Sequence, residues 1–131
     1  MLEGYSLNKD LASNEAISFD NVTIKKGCSA VFASPSIIEL NKYGIYMISV
    51  DGSVTSTEAA DAAVQLYKAG VAQPQGQASA SITAGATRSL SFSTLVQVTP
   101  CCCSGPTVVQ IINTGDAVTY DNVNIVVTKI C

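Results

Sequence analysis

Apolar and polar positions in this chain alternate with a period of two over most of its length, the pattern of strands that bury one face. In the middle, the run from Tyr43 to Val50 sets Ile45 and Met47 against Tyr46, Ile48 and Val50. Both faces are apolar at its start and one turns polar later, as in a strand entering a core. A second run keeps Val64 and Leu66 on one face and Gln65 and Tyr67 on the other, and Lys68-Ala69-Gly70 closes it as a turn. Two long strands therefore flank the connection from Ser53 to Ala62. The clearest alternation runs from Arg88 to Thr99. It predicts a strand over Leu90 to Val98, with Leu90, Phe92, Thr94, Val96 and Val98 inward and Ser89, Ser91, Ser93, Leu95 and Gln97 outward.

The remaining segments fill in around these strands. Met1 to Glu15 is polar and weakly periodic and reads as an N-terminal arm or edge element, which leaves residues 16–131 as the folded domain. Ala16 to Lys25 suggests two short strands around a turn at Asp20-Asn21, and Gly27 ends them. Val31-Phe32 and Ile37 to Leu40 are short apolar runs parted by Ser34-Pro35, a point that Pro35 keeps in a turn or on an edge. Ala72 to Gly85 holds only Ile82 as a large apolar residue and reads as loop plus a weak strand. Pro100 stops the preceding strand, and residues 101–106 form a loop. Thr107 to Asn113 is a strand and Thr114-Gly115-Asp116 a turn. Val118 and Tyr120 begin a short strand, Asp121-Asn122 turns, and Val123 to Ile130 closes the chain. The total is about eight to ten strands without a helix, so the fold class is an all-β antiparallel sandwich, with a jelly roll as its natural closed form.

Composition narrows the function. The 131 residues suffice for one core. No apolar run approaches the roughly 20 residues of a membrane helix, so membrane insertion is not expected. The N-terminus has Glu3, Lys9 and Asp10 and no apolar stretch of the kind a secretory signal shows. Net charge is −3 and the basic residues stand singly apart from Lys25-Lys26, which argues against nucleic-acid binding. The chain has no His, hence no imidazole base and no Ser-His-Asp or Cys-His arrangement. Glu58 with Asp61 is a coincidence of spacing, and Asp51-Gly52-Ser53 reads as a turn, with too few oxygen ligands for calcium. Neither catalysis nor a cofactor is expected.

The cysteines form the one unusual constellation. Cys101, Cys102 and Cys103 are consecutive in a Pro-flanked loop, with Cys28 and Cys131 elsewhere. The spacing is not that of a zinc finger. Three readings stay open: reduced thiols packing as small apolar residues, disulfides from Cys28 or Cys131 to the loop, and a metal or disulfide staple between subunits.

Gly44-x-Tyr46, Val64-x-Leu66-Tyr67-Lys68-x-Gly70, the Ser-rich alternating strand, Ile112-Asn113-Thr114-Gly115 and a closing Val-x-Ile-x-Val-x-x-Lys strand ending at Lys129 together resemble the C1q and tumour-necrosis-factor jelly roll. The chain is most similar to the small versions in phage structural proteins, such as head fibre or decoration proteins, and in bacterial spore-surface proteins. The likeness runs from about Ile17 to Ile130. The collagen-like stalk of the secreted members is absent. The resemblance implies a tight homotrimer in which one sheet of each subunit packs around a threefold axis. Charge agrees, because from Ala69 to Gly115 the only charged residue is Arg88. The competing reading is a monomer whose Ser, Thr and Gln surface is solvated without charge.

Two functions follow. The first is a trimeric virion component made in the host bacterial cytoplasm, with Leu2, Tyr5, Leu7 and Leu11 of the arm docking on a neighbouring subunit or capsid protein. The second is a ligand- or glycan-binding module on a cell, spore or virion surface, for which Tyr120 beside Asp121 is the one hint.

Overall fold

The computed structural model describes residues 1–27, 29–99 and 107–130. Eleven strands form two antiparallel sheets: β1 (Leu2–Leu11), β2 (Glu15–Ala16), β3 (Asn21–Lys25), β4 (Ala30–Ser34), β5 (Ile37–Leu40), β6 (Gly44–Thr55), β7 (Ala60–Lys68), β8 (Val71–Ile82), β9 (Thr87–Val98), β10 (Thr107–Asn113) and β11 (Val118–Lys129). One sheet has the order β3-β1-β11-β6-β9 and the other β4-β5-β10-β7-β8, with β2 pairing β10. The inward side chains of both sheets make one core, in which Leu2, Ile17, Tyr46, Ile48, Leu66, Ile111 and Ile125 are wholly buried.

The alternations expected at β7 and β9 place the same residues inside, and of the two apolar faces at the start of β6 it is Tyr46, Ile48 and Val50 that are buried. In β9, Leu90, Thr94 and Val96 are buried and Phe92 half-buried, while Ser89, Ser91, Ser93, Leu95 and Gln97 face out. The β7–β8 hairpin has Ala69 at φ 52° and Gly70 at φ 81°, the positive values a type I′ turn demands of both central residues. Pro35 lies in the turn between β4 and β5, and its carbonyl accepts from the Phe19 amide at 2.8 Å.

Three expectations are corrected. The segment from Leu2 to Leu11 is not a separate arm. It pairs with β11 on one side and β3 on the other, and buries Leu2, Ser6 and Leu11. Its core face was hard to see because only Leu2 is large in the first half, Gly4 and Ser6 filling the other inward positions. The Ser6 hydroxyl donates to the Ser18 carbonyl at 2.6 Å and accepts from the Asp20 amide at 2.8 Å, fastening β1 to the chain that follows.

Second, the segment from Ala72 to Gly85, expected as loop plus a weak strand, is strand β8 through Ile82, so the loop part is much shorter than expected. Apart from Ile82 its inward positions are small: a Cβ on Gly76 would sit 3.0 Å from Leu66 Cβ and 3.2 Å from Thr94 Cγ2, so the alternation exists with little bulk. Pro74 is tolerated because β8 is the outer strand of its sheet.

Third, Asp121-Asn122 is no turn but a bulge within the continuous β11, whose register against β6 shifts between Tyr120 and Asn122. The bulge explains why buried positions are even before it (Val118, Tyr120) and odd after it (Val123, Ile125, Val127). Asn8, opposite at φ 53°, makes the matching change in β1, whose inward positions pass from Ser6 to Leu11.

Candidate assembly face

The outer side of the five-stranded sheet is the one broad surface built from both the long strands and the expected arm. Register fixes its rows. Leu95, Met47 and Thr128 lie side by side on β9, β6 and β11; then come Ser93, Ser49, Val126 and Glu3; then Ser91, Asp51, Asn124 and Tyr5; and last Ser89, Ser53, Asn122 and Leu7. Among these, Leu7 and Leu95 are each 54% exposed and Met47 39%. Glu3 and Asp51 are the only charged residues of the four rows. The Ser49 and Ser93 hydroxyls bond to each other at 2.7 Å, so even the polar middle is partly self-satisfied. The surface is therefore apolar at the Met47 end and rich in small hydroxyl and amide groups at the other. A cleft of about 250 Å³ lies there between Asp51, Ser91, Asn122 and Asn124.

The four residues expected to dock an arm are divided by the strand. Leu2 and Leu11 point into the core and serve the fold, whereas Leu7, and Tyr5 in part, belong to the outer face. The signal for Met47 at the surface is the doubly apolar start of β6, with Ile45 and Met47 on one parity and Tyr46 and Ile48 on the other, and the register with β11 and β9 decides which parity faces out.

The remaining candidates are placed as follows. Asp51-Gly52-Ser53 is not a turn but the middle of β6. Gly52 is required there because a Cβ would come within 2.9 Å of the Asn122 carbonyl at the bulge. Asp61 is the second residue of β7, where its carboxylate accepts from the Ser81 hydroxyl at 3.1 Å, and Glu58 lies in the loop before the strand. Tyr120, the hint of a binding loop, is buried instead. Its phenol donates to Asn113 Oδ1 at 3.1 Å, and burial pushes its pKa far above the usual value. Cys28, Cys101, Cys102, Cys103 and Cys131 lie outside the described residues. Among the described residues no three His, Cys, Asp or Glu side chains come together to hold a metal ion.

At one end of the face, Asp10, Thr119, Thr55 and Thr87 form a further row. Thr119 donates to Asp10 at 2.6 Å, and Thr55 donates to Asp121, which the bulge turns toward it. At the same end of the sheet, on its outer strand β9, Arg88 is exposed and lies opposite Val54, in the row that faces the core, so it belongs to the edge of the sandwich and not to the outer face.

No protein-family model matches the sequence, and no curated protein matches it either. Solved structures do match. The globular domain of zebrafish complement 1qA aligns with a TM-score of 0.69 at 8% identity, over 95% of this chain and 94% of that one. Murine APRIL at pH 5.0 aligns with a TM-score of 0.67 at 11% identity, over 98% of each chain. The PRD1 vertex protein P5 aligns with a TM-score of 0.57 at 17% identity, over 99% of this chain and 96% of that one. With its eleven strands in two antiparallel sheets, the chain has the C1q/TNF-like jelly-roll fold.

Proposed function

We propose that this chain is a non-enzymatic structural module that acts as a homotrimer on a particle surface, as a phage head fibre or capsid decoration protein. The observation that carries the reading is the outer face of the five-stranded sheet. Leu95 and Met47 lie side by side there, 54% and 39% exposed, in four rows whose charges are Glu3 and Asp51, and a contact between copies would take this apolar pair out of water.

A ring of three also needs a second surface, because a threefold contact is heterologous: each subunit offers one patch and receives on another. The edge formed by β8 and β9 suits that role. Its described residues carry Gln, Ser, Ala and Thr and, from Ala69 onward, the single charge of Arg88, so it can be buried with little desolvation cost. Its backbone is also partly blunted against further strand pairing, since Lys68 Nζ donates to the Gln97 carbonyl at 2.6 Å. The likeness to a phage vertex protein supports a virion setting. With residues 2–11 held in the sheet, attachment to a capsid protein falls to the loops at the ends of the sandwich.

Sedimentation equilibrium at micromolar concentration should report a trimer. Met47→Glu combined with Leu95→Glu should yield a folded monomer, because each carboxylate would have to be desolvated in the contact. A wild-type monomer would end the trimer reading. Imaging of intact particles with a labelled antibody should place the protein on virions; label confined to a cell or spore would move it to those surfaces.

A further inference from the structure

Arg88 has no hydrogen-bond or ion-pair partner among the described residues, although it is the one charge in the edge that the trimer reading places in contact. On the receiving face, Asp10 and Asp121 are held, among the described residues, by the neutral hydroxyls of Thr119 and Thr55. Lys9, the nearest cation on β1, is tied to Asp20. One unpaired cation and two carboxylates without a cation thus lie on the two surfaces that a ring would bring together.

Symmetry selects between these carboxylates and Asp51. Rotation about a threefold axis leaves every atom at its own height. In a ring whose axis follows the strands of the face, Arg88 of one subunit meets residues of the next at the level of its own strand position. Arg88 pairs with Val54, and Val54 pairs with Tyr120, which pairs with Lys9. Asp121 and Asp10 each directly follow a residue of that row. Asp51 stands three residues away along β6, roughly 10 Å at the rise of a strand. We propose that Arg88 of each subunit bonds to the Asp10 and Asp121 carboxylates of its neighbour, and that this contact sets the register of the trimer. The inference rests on the trimer reading and names the polar contact within it.

The hydroxyl bonds prepare the site. Each orients a carboxylate while leaving its other lone pairs open, and a planar guanidinium can span two acceptors where an ammonium would serve one. The contact matters more for specificity than for affinity: a copy slid along the axis would leave Arg88 facing the serine rows.

The test is a charge-swap cycle read by sedimentation equilibrium on the full chain. Arg88→Glu should weaken the trimer on the order of tenfold or more in dissociation constant. Adding the exposed change Asp10→Lys should restore most of the loss. Circular dichroism on each variant, with Asp121→Asn as a milder second probe, separates misfolding from dissociation. The pairing is overturned if Arg88→Glu leaves a wild-type trimer unchanged, or if Asp51→Lys rescues it where Asp10→Lys does not. In both cases the trimer itself would stand. A wild-type monomer would remove the pairing together with the assembly.

Discussion

At the scale of single residues, the buried polar set shows how this fold closes one end of its core. Asn113 is completely buried, yet every polar atom of its side chain is used: Nδ2 donates to the carbonyls of Ala12 at 3.0 Å and Asp116 at 3.1 Å, and Oδ1 accepts from Tyr120. Tyr120→Phe would leave that oxygen buried without a donor, at a cost of about 1–3 kcal/mol measurable by urea unfolding. The same phenol gives an alkaline limit. Burial raises the Tyr120 pKa from its ordinary 10.0, and Tyr46 is raised as well, chiefly by burial, although its hydrogen bond to the Lys42 carbonyl opposes the shift. The unfolded phenols ionise first, near pH 10, while the folded ones keep their protons. Stability is therefore fully present below that pH and falls as pH rises above it. Tyr120→Phe should flatten the decline, and an unchanged slope between pH 10 and 11.5 would mean other groups govern it. Gly115 is a second constrained point, since a Cβ there would lie 2.3 Å from the Asp61 carbonyl. Gly115→Ala should displace the turn from β7 and cost more than Tyr120→Phe in the same assay.

At the scale of elements, β1 behaves as a central strand of the fold. It supplies Leu2 and Leu11 to the core and, among the described residues, is the strand that holds β3 in its sheet. Deleting residues 1–12 should therefore abolish cooperative thermal unfolding, whereas a dispensable arm would leave a sharp transition. This element also marks how far the sequence could be read. Strands β6, β7, β9 and β10 were legible because branched and aromatic side chains fill their inward positions, so the period of two is written in bulk. In β1 and β8 those positions are Gly4, Ser6, Gly76, Ala78 and Ala80, which fit close cross-sheet contacts but carry little hydrophobic signal. The Asp121-Asn122 pair misled for a different reason. Its residue types suit a turn, but the ladders to β6 and β1 hold the backbone extended, and the extra residue is absorbed as a bulge that reverses the parity of β11, matched in β1 at Asn8. The candidate face was half legible: Leu95 stood out as the one large residue on a serine face, while Leu7 and Tyr5 could not be joined to it until β1 had a register.

At the scale of the whole molecule, the core accounts for the fold of one chain and leaves Leu95 and Met47 exposed side by side on the outer sheet face. If that face is shared among three copies, stability becomes a property of concentration as well as sequence, because assembly draws on the native state and not the unfolded one. Mass action then makes the midpoint of thermal unfolding rise with protein concentration, since unfolding of a trimer releases three chains. A scan from 1 to 100 micromolar should show an upward shift of several degrees, on the scale by which about 1–3 kcal/mol moves the midpoint of a domain of this length. The Met47→Glu and Leu95→Glu double variant should show a midpoint independent of concentration and equal to the value toward which the wild type tends on dilution. That pairing of results identifies the face itself as the source of the effect. A wild-type midpoint that stays fixed across the whole range would mean that a single chain carries its full stability, and that Leu7, Met47 and Leu95 face solvent in the working molecule.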